Sequence, residues 1–99
     1  MATNELIELA IVNRHLIEFV YQGKHRVVEP HVLGSRRGET GLLAYQIRGE
    51  SRSGGLPQWR RFVVDLISGV NVLDEGFLSR AEAQRSGFDQ VIAWVAPQG

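Results

Sequence analysis

The chain contains no cysteine, which removes disulfide staples, thiolate nucleophiles and cysteine-bearing zinc sites in one step. It also lacks any uncharged apolar run approaching the roughly 18 residues that a membrane span requires. The first residues, Met1 to Asn4 followed by Glu5 and Glu8, have neither the basic nor the apolar region of a secretory signal. A cytoplasmic protein without membrane contact is the expectation. Excess charge of either sign is missing as well, since 11 Lys and Arg balance 11 Asp and Glu. The resulting pI near 6.8 lies far from the strong basic excess of a dedicated nucleic-acid binder. There is no internal repeat, coiled coil or low-complexity segment.

What is present fits one small globular domain. The 99 residues are 43% hydrophobic and 22% charged, and a chain of this size buries only about 60–65% of its unfolded surface, so one layer of aliphatic side chains must carry the core. Little is left for a deep, private active site. Charge is uneven along the chain: residues 1–20 carry a net −2, residues 21–62 a net +5 and residues 63–99 a net −3. Seven of the eight cations in the basic middle are arginines, the side chain suited to bidentate contact with phosphate or carboxylate.

Thr3 or Asn4 can cap a helix over residues 4–13, with Glu5 and Glu8 placed where negative charge complements the dipole. The period then changes. Ile17, Phe19 and Tyr21 alternate with Leu16, Glu18 and Val20, which predicts a strand, and a turn at 22–25 leads into a second extended run over 26–33. Pro30 within that run argues for an edge or a bulge because it cannot donate to a ladder. A glycine-rich loop over 34–41 precedes a third strand at 42–48, and a polar loop at 49–57 is expected to be mobile. A fourth strand starts near Gln58, with Trp59, Arg61 and Val63 on one side and Arg60, Phe62 and Val64 on the other; a fifth covers 70–73. Ser79 and Glu82 have the spacing of a capping box, predicting a short helix that Ser86 and Gly87 stop. Residues 88–95 suit a short strand closing or covering the sheet. One helix followed by five short strands gives a mainly β unit of the α+β class, arranged as a small antiparallel barrel.

Five segments in register carry a family likeness: the helix leading to Ile17, Phe19 and Tyr21; Arg26-Val27-Val28-Glu29-Pro30; Leu43-Ala44-Tyr45; Arg60-Arg61-Phe62; and Asp65-Leu66-Ile67. In this order and spacing the chain resembles the WYL domain over roughly residues 7–78. The resemblance implies an SH3-like or Sm-like five-stranded barrel at about 15–73 behind the N-terminal helix. Residues 77–99 then form a C-terminal extension of a single WYL-like domain spanning 1–99. It also implies kinship with bacterial transcription regulators and some CRISPR-associated proteins, in which such domains sense ligands, nucleic acids or nucleotides among them. The tripeptide that names the family falls on Gly41, Leu42 and Leu43, so the leucine is kept and both aromatic rings are absent. The basic residue of the family's Asp-Arg-Ile motif falls on Leu66, whereas Arg26 and Arg60 stand at matching positions.

Arg60 shares a strand face with Phe62 and Val64, which should face the interior. An arginine there is costly unless it lies at an open end and meets an anion or a carboxylate. Arg26 has the parity of Val28 and can reach the same barrel mouth, with Tyr21 or Tyr45 offering a hydroxyl or a ring face. The pair either faces a ligand or closes internally on Glu29 or Asp65. Trp59 beside Arg60 and Arg61 is an aromatic among cations, as single strands favour, or else a half-buried sheet residue. Trp94 reads as core. Arg36, Arg37, Arg48, Arg52 and Arg61 offer a sequence-independent electrostatic footprint. The candidate ligand-binding residues are therefore Arg26, Arg60, Tyr45, Arg61 and Trp59.

His15, His25 and His31 have no metal-ligand spacing, and no cofactor is implied. Residues 34–41 are not a phosphate loop, because no Gly-Lys-Ser/Thr follows, and no serine sits in a nucleophile elbow. Enzymatic activity is not expected. The function anticipated is a ligand-sensing or nucleic-acid- or nucleotide-binding regulatory module whose arginines contact an anion. No helix-turn-helix precedes the barrel, so the chain is expected to act through a partner or as an oligomer. The alternative is a protein–protein interaction or homo-oligomerisation module with a degenerate ligand site, pairing through a barrel edge or through Val91, Ile92, Trp94 and Val95.

Overall fold

The computed structural model describes residues 1–50 and 55–96. Residues 51–54 of the loop expected at 49–57, Arg52 among them, lie outside the described residues. The order is α1 (Thr3–Asn13), β1 (His15–Tyr21), β2 (Lys24–Arg36), β3 (Glu39–Gly49), β4 (Gln58–Val63), a single 3-10 turn (Val64–Leu66), β5 (Ile67–Gly76) and β6 (Gln90–Trp94). Helix α1 starts a residue before the expected position. Its first turn is closed by Glu5 Oε1, which accepts the Ala2 amide proton at 3.0 Å, and not by Thr3 or Asn4. Ile7, Ala10 and Ile11 form its buried stripe, which docks the helix on a sheet it could not do without at this length.

The strands form one antiparallel sheet in the order β4-β3-β2-β1-β5, with β6 added to β2. Strand β2 is the spine, buried on both faces from Arg26 to Gly34. It pairs with β3 from Arg26 to Arg36, with β1 through residues 24–28 and with β6 through residues 32–35. Pro30 pairs with Ala44 and Val32 with Leu43, so one extra residue, His31, is inserted between them. That is the bulge a proline without an amide proton favours. Alternation already puts the His31 side chain on the face of Glu29; the extra residue brings Val32, opposite Leu43, onto that face as well.

The core lies on the concave face, where Ile17, Phe19, Tyr21, Val28, Leu33, Leu42, Ala44 and Phe62 meet α1. Phe62 is edge-on to Phe19 at 5.0 Å and to Tyr21 at 4.9 Å. The expected closed barrel is corrected in one respect: among the described residues β4 and β5 do not pair with each other. The 3-10 turn between them carries the chain across the end of the sheet, so the two strands diverge where a hairpin would have aligned them. A side chain spans part of the gap, the Tyr21 hydroxyl accepting the Val63 amide proton at 3.1 Å.

Two further differences concern the ends of elements. Strand β5 runs from Ile67 to Gly76, longer than expected because β1 pairs with it along its length. Residues 79–86 form no helix; the segment from Phe77 to Asp89 is an irregular strap laid over the convex face. It leads into β6, whose pairing with β2 fits the covering strand expected there. Trp94 is 38% exposed on that strand and not in the core, because β6 lies at the margin of the sheet; the Arg85 guanidinium covers it at 3.7 Å.

Candidate functional site

The five candidate ligand residues separate into three places. Arg26 and Arg60 share the concave face. Arg26, only 2% exposed, donates to Gln46 Oε1 and to the Tyr21 carbonyl, each at 3.3 Å. Its guanidinium lies 5.8 Å from the ring centroids of both Tyr21 and Phe62. Gln46 pairs across the sheet with Gln58, and the next pair on that face is Ala44 with Arg60. Arg26 and Arg60 thus flank a glutamine pair at the end of the sheet next to residues 49–57, and Arg60 is half-buried.

Tyr45 and Trp59 stand on the opposite, convex face, 5.1 Å apart, as alternation along β3 and β4 requires. Here Glu29, cross-strand partner of Tyr45, meets a residue that sequence reasoning missed. Arg80 of the strap binds its carboxylate through Nε at 2.7 Å and Nη2 at 3.2 Å and lies 4.2 Å from the Tyr45 ring centroid. The bond to Glu29 holds Arg80 above the ordinary arginine value. The Arg80 amide also donates to His31 Nε2 at 3.2 Å, and the His31 ring packs on Trp59 at 4.9 Å and Phe77 at 5.0 Å. Burial pushes the His31 pKa down. The only sequence signal for this cluster was Glu29 itself, a carboxylate inside an apolar run.

Arg61 points outward at a third place, where β2, β3 and β4 meet the end of the strap. Arg36, Arg37, Glu39, Gly41, Arg61 and Phe88 line a concavity of about 340 Å³. The Arg61 guanidinium lies 4.4 Å from the Phe88 ring centroid and donates to the Gly87 carbonyl at 3.2 Å. Asp89 is occupied at one oxygen by the Arg37 amide, 2.7 Å away. Phe88 rests in a notch formed by two glycines: a Cβ on Gly34 would come within 2.9 Å of its ring, and one on Gly41 within 3.5 Å. At the position where the resemblance puts the family's first aromatic, the ring standing over the backbone is Phe88 from the C-terminal extension.

Among the described residues no cluster of three or more His, Asp or Glu could hold a metal ion, and no helix is long and apolar enough to cross a membrane. No curated protein and no solved structure matches the chain. Residues 2–72, well over half of it, match the WYL domain, and this span holds α1, β1 to β4 and the first half of β5. By that match the chain belongs to the WYL domain family, whose members are in general regulatory, ligand-sensing domains.

Proposed function

We propose that the chain is a non-enzymatic regulatory module that binds a phosphate-bearing anion, a nucleotide or single-stranded nucleic acid, on an open sheet of SH3- or Sm-like type. The concavity of Arg36, Arg37 and Arg61 carries this proposal. Three arginines line it with a single carboxylate, Glu39, while the nearby Asp89 is engaged by the Arg37 amide. Arg36 and Arg37 make no ion pair among the described residues, which suits them to an outside anion. Arg60, half-buried on the other face, is a second anion contact, and the buried Arg26 on that face supports the sheet through Gln46 and the Tyr21 carbonyl. Tyr45 and Trp59 act through the convex face and not through this pair.

Titration with oligothymidylate and, separately, with a cyclic nucleotide at increasing salt tests the proposal and separates the two sources of phosphate. For a single strand, each phosphate contact contributes about −0.7 to the slope of log K against log salt. Arg61→Ala should weaken binding and flatten that slope. Binding indifferent to both salt and Arg61→Ala would overturn it.

A second function is favoured by β6, which among the described residues pairs only with β2 and leaves Val91, Ile92 and Trp94 partly exposed. Such an edge can accept a strand from another chain. Light scattering that returns a monomer at high concentration would dismiss self-association there.

A further inference from the structure

The convex face holds a site shaped for a guanidinium group, and the chain fills it with its own Arg80. Glu29 sits in the middle of the spine strand with its side chain 8% exposed. A carboxylate so placed is costly to leave unpaired. What lies around it belongs to the sheet: Tyr45 on the neighbouring strand, Trp59 on the next, and His31 held by its bond to the Glu29 carbonyl. Arg80 comes from the irregular strap, and its side chain is 39% exposed, so the ion pair is open to competition from solvent. The two bonds from Arg80 to the two oxygens of Glu29, with the Tyr45 ring stacked at 4.2 Å, match a planar fork. A lysine ammonium cannot reproduce them.

We infer that Glu29, Tyr45 and the adjoining aromatic shelf form a receptor for an arginine side chain of a partner polypeptide, held closed in cis by Arg80. The strap that Arg80 pins also supplies Phe88 to the arginine concavity, and its Gly87 and Asp89 bond to Arg61 and Arg37 of that lining. Occupation in trans would therefore loosen the wall of the anion site.

The test uses the full chain with Arg80→Ala, titrated with N-acetyl-arginine amide and N-acetyl-lysine amide at equal ionic strength and followed by the thermal midpoint. The arginine compound should raise the midpoint saturably, with half-effect on the order of millimolar, and the lysine compound should not. Adding Glu29→Gln should abolish the response. Equal responses to the two compounds, or a response that survives Glu29→Gln, would overturn the inference. Should Arg80→Ala not fold, Arg80→Lys keeps the charge while removing the fork, and the arginine compound must still exceed the lysine compound by about tenfold in half-effect. Failure of that difference counts equally against it. The outcome is independent of whether any phosphate ligand binds at Arg61.

Discussion

His31 and Arg80, 49 residues apart, are joined through a backbone amide: the Arg80 N–H donates to Nε2 of the imidazole at 3.2 Å. An amide nitrogen can only donate, so Nε2 carries no proton and Nδ1 must donate to the Glu29 carbonyl, 3.0 Å away. The ring is neutral in the folded protein. Burial, the largest influence on it, lowers its pKa below the ordinary 6.5. A second proton would set an N–H against the Arg80 N–H and undo the strap at that point.

A pH dependence with a definite sign follows. The folded state disfavours the charged ring, so the unfolded chain binds the proton more readily. The stability from this site is full above the ordinary value of 6.5 and is lost as pH falls from there through the lowered folded value. The unfolding free energy from urea titrations between about pH 8 and pH 5 should decline with a slope of at most about 1.4 kcal/mol per pH unit, the limit for one proton. His31→Gln should flatten that part of the curve. An unchanged slope in the variant would assign the dependence to other groups.

Burial, and not distance, should rank the ion pairs. Arg80–Glu29 and Arg48–Glu75 are both 2.7 Å at their closest, and Arg48, by its hydrogen bonds, holds the Glu75 carboxyl below its usual value. The second pair is exposed, and Glu75→Ala should leave the denaturation midpoint unchanged. Arg80→Ala should cost roughly 1–3 kcal/mol, less than a fully buried pair because the arginine is partly solvated. A double-mutant cycle with Glu29→Gln should recover part of that loss and give a coupling of about 1 kcal/mol or more. Additive losses would mean that Arg80 acts by packing alone.

Much of this arrangement is legible in the chain. Alternation places Arg60 with Phe62 on one face and Trp59 with Arg61 on the other, and Pro30 marks the bulge. Glu29 inside Val27-Val28-Glu29-Pro30-His31-Val32 demands a cation, but no local pattern selects one 51 residues along. Ser79 and Glu82 have the spacing of a capping box, yet a helix of under two turns is too weak by itself. The pull of Glu29 and His31 on Arg80 prevails over it. Closure of the sheet was equally out of reach, since it depends on where a three-residue turn sends β5. Trp94 reads as core by type, and only the marginal position of β6 leaves it half outside.

Phe88 and Gly34 give a test of the extension. A Cβ at Gly34 would stand 2.5 Å from the Gln90 carbonyl oxygen and 2.9 Å from the Phe88 ring, a clash with backbone that β6 must relieve by moving. Gly34→Ala should destabilise the protein by about 1–3 kcal/mol, the range for overpacking. It should also speed amide exchange at Val91 and Ala93, which face this part of β2. Normal exchange on β6 in a destabilised variant would place the strain elsewhere.

The two concave-face arginines should part company when replaced. Arg26 is 2% exposed and bonded to Gln46 and to the Tyr21 carbonyl between two aromatic rings, so Arg26→Ala opens a cavity and strands an acceptor on Gln46 as well. A loss of about 2–4 kcal/mol is expected from those effects together. Arg60 is half-buried, and Arg60→Ala should cost less stability while weakening oligothymidylate binding and its salt slope by about one phosphate contact. Thermal midpoints and salt-dependent titrations on the two variants separate a supporting arginine from a contacting one. If Arg60→Ala binds like the parent while Arg61→Ala does not, the anion site lies wholly on the Phe88 side of the sheet, and the concave-face pair is structural.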